Sequence, residues 1–142
     1  MSSTCSTSLW VQGWNQAFRQ AGLPTGPIRR SRFTREGGHE ATAALLESDN
    51  PPDAIFAASD LEALGALRAI HERSLRIPED IAVITFDGTV ESLYAWPQLT
   101  AIQQNTAELA RCAVNAALDP AHTPDVQLIA AELVTRQSCG CK

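Results

Sequence analysis

Apolar residues near the start of the chain recur at helical spacing. Trp10, Val11, Trp14, Ala17, Phe18 and Ala21 fall three and four apart, and Gly22 and Pro24 then end the series. The spacing predicts an amphipathic helix over residues 10–21. Gly26-Pro27 opens a short run over residues 28–33 that reads as a strand, and a second helical series covers residues 35–47, with Ala41, Ala44, Leu45 and Leu46 on its apolar side. Asp49-Asn50-Pro51-Pro52 is turn chemistry. After it, residues 54–58 are wholly apolar, as in a strand buried on both faces.

Ser59-Asp60-Leu61-Glu62 has the capping-box pattern, so a third helix starts here and runs to Arg73. Leu61, Ala63, Leu64, Ala66, Leu67, Ala69 and Ile70 give it more than one apolar face. One face covers the sheet, and the surplus predicts a partner subunit meeting Leu64 and Leu67. A turn at Ile77-Pro78-Glu79-Asp80 leads into residues 81–86, the clearest buried strand, which ends at Asp87-Gly88. A polar loop follows, then a short strand over residues 99–102 and a helix over residues 106–118, capped by Asn105 with Glu108. Pro120 and Pro124 break the chain before a last strand over residues 127–134 and a polar tail. Strands alternating with helices at these short spacings predict an α/β fold with a doubly wound parallel sheet joined by right-handed crossovers.

Composition narrows the functional classes. With 44% hydrophobic and 19% charged residues, the 142-residue chain has the makeup of one globular unit with a moderate core. Sixteen acidic against eleven basic residues give a net charge of -5, which offers no broad attraction to a phosphate backbone. The basic run Arg29, Arg30, Arg32 and Arg35 has no interleaved aromatics and reads as a solvated edge. No stretch approaches a membrane span and no export signal is legible, so the expected location is the cytoplasm. Cys5, Cys112, Cys139 and Cys141 lack disulfide-framework or zinc spacing and are expected as reduced thiols, with Cys139-Gly140-Cys141 in a frayed tail. Nothing calls for a metal or a cofactor.

Several phrases resemble the lactose/galactose repressor (LacI/GalR) family of bacterial transcription regulators. They are Pro52-Asp53-Ala54-Ile55-Phe56-Ala57-Ala58-Ser59-Asp60-Leu61-Glu62-Ala63-Leu64-Gly65-Ala66, Ile77-Pro78-Glu79-Asp80-Ile81-Ala82-Val83-Ile84-Thr85-Phe86-Asp87, Pro97-Gln98-Leu99-Thr100-Ala101-Ile102 and the tail Glu132-Leu133-Val134-Thr135-Arg136-Gln137-Ser138. Together they cover the chain from about Gly13 onward. The resemblance implies a two-lobed, periplasmic-binding-protein-like (type I) domain that clamps a sugar or nucleoside effector and works as a homodimer. Residues 1–98 and 119–142 would then form the C-terminal lobe, and residues 99–118 a remnant of the N-terminal lobe. DNA would be met only through a headpiece that these residues do not include. A transport-linked sugar-binding protein of the same fold is the alternative within that architecture.

Six residues are candidates for the ligand site. Asp87 ends a buried strand at the edge where open α/β sheets bind ligands, and its carboxylate can accept from two hydroxyls; it also suits a turn with Gly88. The resemblance places Phe33 as an aromatic ring against the ligand, although a Phe after a strand also suits a core. Ser59 stands where the family commonly has Asn, and capping is a sufficient role for it. Asp60 can contact ligand or favour the helix dipole. Gln104 matches a cleft-facing position and equally suits a helix entrance. Trp10 departs from the family, which usually carries Arg there, and this implies a more apolar effector or a decayed site. Ser59, His39, His71 and Asp87 contain the residue types of a hydrolase triad. No nucleophile elbow, His-x-x-x-His pair or phosphate loop arranges them, so no enzyme is expected.

Overall fold

The structure is a computed structural model that describes residues 4–141, with side chains described from Leu9 onward. The chain runs through α1 (Thr4–Gln20), α2 (Arg35–Leu46), β1 (Ala54–Ala57), α3 (Asp60–Glu72), β2 (Ala82–Asp87), α4 (Val90–Tyr94), β3 (Thr100–Gln104), α5 (Thr106–Leu118) and β4 (Ala131–Val134). Single 3-10 turns lie at Pro120–His122 and Gln137–Cys139. The four strands form one sheet in the order β1-β2-β3-β4. β1, β2 and β3 are parallel, as the alternation with helices predicts, whereas β4 pairs antiparallel to β3 at the edge. An antiparallel edge strand on a parallel sheet is a common α/β arrangement.

Local chemistry sets the element ends. α1 stops at Gly22, which takes φ +68, while Leu23 N–H donates to Phe18 C=O and Gly22 N–H to Arg19 C=O, the pattern of a glycine-terminated helix. Thr34 caps α2 through Gly37 N–H at 3.0 Å, and Ser59 caps α3 through Glu62 N–H at 3.2 Å. Glu62 turns its carboxylate back onto the Ser59 hydroxyl, at 3.0 Å, rather than onto the cap N–H.

The core lies between the sheet and α3. Ile55, Ala57, Val83 and Leu99 meet Ala63, Leu67 and Ile70, with Ile81 and Ala95 closing the ends. Burial of each large aliphatic side chain here contributes about 1.5–3 kcal/mol. α2 packs on the other side of α3 at close range. A Cβ on Gly38 would lie 2.1 Å from Glu62 O, and one on Gly65 would lie 2.0 Å from Arg35 O, so glycine at both positions lets the two backbones touch.

Five expectations change. Residues 28–33 form no strand, and the last strand is confined to Ala131–Val134, because residues 127–130 run on without ladder partners. The predicted polar loop after β2 contains α4. The second apolar face of α3 is taken up inside the chain by α2. Leu67 is 5% exposed and belongs to the core, and Leu64 packs against that core, so the apolar surplus of α3 gives no argument for a subunit contact at these two residues. Cys139 is half-buried and hydrogen-bonded in the turn after β4 rather than frayed. The side chain of Cys5 lies outside the described residues.

The tail after β4 fastens the sheet. Ser138 is fully buried; its hydroxyl donates to Val83 C=O and accepts from Thr100 N–H at 2.9 Å. Arg136 N–H donates to Thr100 Oγ1 at 2.8 Å, and its guanidinium donates to Leu99 C=O at 2.6 Å and to Ser92 Oγ at 3.2 Å. These residues supply hydrogen bonds at the start of β3 that the parallel ladder leaves unmade.

Candidate effector site

β2 and β3 end side by side, with Asp87 opposite Gln103. One residue further, Gln104 Nε2 donates to Asp87 Oδ1 at 2.7 Å, so the two carboxyl-end candidates touch. Asp87 has φ +107, a conformation that costs a residue with a Cβ of the order of 1–3 kcal/mol and recurs at functional sites. Burial pushes the Asp87 carboxyl above its ordinary value, and the nearby Asp60 charge adds to that. The Gln104 amide and the Asp60 backbone N–H act the other way.

Asp60, at the start of α3, is 2% exposed. Its Oδ2 accepts from both the backbone N–H and the hydroxyl of Thr89, each at 2.6 Å. Its Oδ1 is buried without a hydrogen-bond partner among the described residues. Such an acceptor costs of the order of 1–3 kcal/mol unless something else donates to it. Asp60 therefore ties α3 to the loop after β2 and leaves one acceptor beside Asp87.

An aromatic group flanks this corner. Trp10 from α1 lies with its ring centroid 5.4 Å from Phe86 and 6.2 Å from Phe33, both tilted. Phe86 directly precedes Asp87, so the rings and the carboxylate share one end of the sheet. Phe33 is 55% exposed and is not a core residue. Ser59 is buried and engaged with Glu62, whose carboxylate also accepts from the Ser31 hydroxyl; capping accounts for all of its contacts.

Of the six predicted residues, the structure joins Asp87 to Gln104, sets Asp60 beside Asp87, pairs Trp10 with Phe33, and assigns Ser59 to the helix cap. Phe86 and Thr89 were not singled out from the sequence. Phe86 lies in a strand whose mostly apolar composition hides which side chains face outward, and Thr89 in a loop without periodic signal. A groove of about 560 Å³ lies elsewhere, lined by Arg29, Arg30, Arg32, Glu40 and neighbours on α2. Its lining includes none of the six candidates.

The hydrolase residues are not assembled. His39 Nε2 sits 2.6 Å from Glu72 Oε2, Ser59 is held by Glu62, and Asp87 by Gln104. No hydrogen bond among the described residues links any two of Ser59, His39, His71 and Asp87.

A mostly parallel sheet packed against helices, with Asp60, Asp87 and an aromatic group at the carboxyl end of its parallel strands, makes this an α/β domain. The chain belongs to the periplasmic binding protein-like domain family, which it matches over residues 2–139, and it is similar to regulators of the LacI type. It is 37% identical over 134 residues to the HTH-type transcriptional repressor CytR of Escherichia coli (strain K12), a match covering 90% of this chain and 39% of that protein. The crystal structure of an uncharacterized protein from Actinobacillus succinogenes superposes with a TM-score of 0.83 at 38% identity, covering 89% of this chain and 48% of that one. The lactose complex of a LacI family transcriptional regulator from Arthrobacter sp. FB24 superposes with a TM-score of 0.76 at 32% identity, covering 87% and 48%. The chain thus spans less than half the length of each of these relatives. No helix among the described residues is long and apolar enough to cross a membrane.

Proposed function

We propose that these residues are the effector-binding and dimerisation part of a cytoplasmic, sugar- or nucleoside-responsive transcription regulator, and that they carry no catalytic activity. The observation that carries the reading is the corner where Asp87, strained and half-buried, faces Asp60 with its unpartnered buried oxygen. The part-exposed Asp87 carboxylate beside a Trp10–Phe33–Phe86 wall suits a ligand with hydroxyls on one side and a flat apolar face on the other. Trp10 favours an effector with more apolar surface than a simple hexose. The lactose-bound regulator noted above supports a small carbohydrate as one class to test.

In this reading residues 1–98 and 119–142 form one wall of a cleft and residues 99–118 belong to the other. α5 supports that division: none of its residues is buried, and Leu109, Val114 and Leu118 are exposed, the last at 79%. The proposal assigns DNA contact to a headpiece outside these 142 residues, in keeping with their net charge of -5. Self-association would use the exposed row Val90, Leu93, Tyr94 and Trp96 around α4, since α2 covers the apolar surplus of α3. Operator binding by the full-length protein tests the reading. A mobility shift should form on its own promoter and weaken at least tenfold with one sugar or nucleoside of a panel; no complex, or a complex indifferent to the whole panel, would contradict it.

A further inference from the structure

Cys139 and Cys141 flank Gly140, whose φ of +68 folds the backbone back on itself. The turn brings Cys141 N–H to 3.2 Å from Cys139 Sγ. Cys139 Sγ is therefore half-buried and held by a backbone amide, while Cys141 stands exposed at the end of the same turn.

We propose that Cys139 and Cys141 form a dithiol–disulfide couple, in which Cys139 attacks a low-molecular-weight disulfide and Cys141 closes the ring. The Cys139 thiolate attacks one sulfur of the oxidant, here oxidised glutathione, and forms a mixed disulfide. The first glutathione leaves as thiolate and takes up the proton that Cys139 lost. The Cys141 thiolate then attacks Cys139 Sγ and expels the second glutathione, which takes up the proton from Cys141. Two protein thiols are oxidised to one disulfide and one glutathione disulfide is reduced to two thiols.

The electrostatics support this order. Burial opposes a Cys139 thiolate, yet hydrogen bonds from Cys141, Thr100 and the turn backbone together hold it below the ordinary thiol value. The Cys139 sulfur pushes Cys141 up, with burial adding to the effect, so Cys141 keeps its proton until its neighbour has reacted. Cys112 on α5 has its thiol pushed up by burial and by Glu108, and it provides an internal comparison.

Timed alkylation with mass mapping tests the couple on the intact chain. At neutral pH, Cys139 should be alkylated at least tenfold faster than Cys112. Oxidised glutathione should yield an internal Cys139–Cys141 bond and spare Cys112. Cys141→Ser should trap glutathione on Cys139, and Cys139→Ser should capture it on Cys141 at least tenfold more slowly than Cys141→Ser captures it on Cys139. Cys139 reacting no faster than Cys112, a bond between chains in place of the internal one, or equally fast capture by Cys141 in the Cys139→Ser variant would each overturn the proposal. The wild-type measurements stand whether or not the variants fold.

Discussion

Gln104 donates its side-chain amide to Asp87 Oδ1 at 2.7 Å, linking the last residues of two adjacent parallel strands. The bond holds Asp87 in place despite its positive φ and offsets part of the cost of its buried charge. Because the folded carboxyl titrates above the ordinary 3.8, the stability tied to its neutral form is full below that value and lost as pH rises through the folded one. Asp87→Asn, which tolerates the same backbone, should therefore raise the urea midpoint at pH 7. The gain should disappear by about pH 3. A midpoint at pH 7 equal to or below wild type would refute the raised carboxyl.

The buried hydroxyl of Ser138 serves two backbone groups, Val83 C=O and Thr100 N–H. Ser138→Ala leaves both without that partner in a site closed to water. The expected loss is about 2–4 kcal/mol in denaturant unfolding, with the slope unchanged. A loss under about 1 kcal/mol would mean that the sheet edge relaxes to find other partners.

α2 and α3 approach through Gly38 and Gly65, where an added Cβ meets backbone oxygen at 2.1 and 2.0 Å. Backbone atoms cannot rotate aside, so Gly65→Ala should cost about 3 kcal/mol and lower the melting temperature by several degrees. A melting temperature within experimental error of wild type would show that the helices can separate without penalty.

Exposed apolar side chains around α4 set the next expectation. Tyr94 and Trp96 are 86% and 79% exposed. Sedimentation at micromolar concentration should show a dimer, and Trp96→Glu should shift it to monomer with at least a tenfold weaker association. A wild-type monomer at high micromolar concentration, or a dimer that Trp96→Glu leaves intact, would remove α4 from the interface.

Much of the scaffold was legible because its signals are local. The spacing from Trp10 to Ala21, the Ser59 cap and the apolar run before Asp87 each reflect short-range chemistry, and α5 begins and ends at the predicted residues. The strand expected over residues 28–33 failed because strand formation needs a partner edge that local composition does not reveal. The α3 surplus was misjudged for a related reason: apolar count says how much surface must be covered, and only the Gly38–Gly65 approach says that α2 covers it. In the candidate site, Asp87 was visible from its place at a strand end. Its bond to Gln104 spans 17 positions, and the unpartnered Asp60 oxygen and the Thr89 tie depend on the way α3 meets the loop after β2.

The central claim is that Asp87 anchors a small-molecule effector in a cleft to which these residues contribute one wall. Titration calorimetry with a panel of sugars and nucleosides tests it on three proteins: the full-length regulator, its Asp87→Ala variant, and residues 1–142 alone. The claim predicts one effector bound by the full-length protein, an affinity lowered about 100-fold, or about 3 kcal/mol, by Asp87→Ala, and binding no tighter than about millimolar by residues 1–142. Micromolar binding by residues 1–142 alone, or a full-length affinity unchanged by Asp87→Ala, would contradict it.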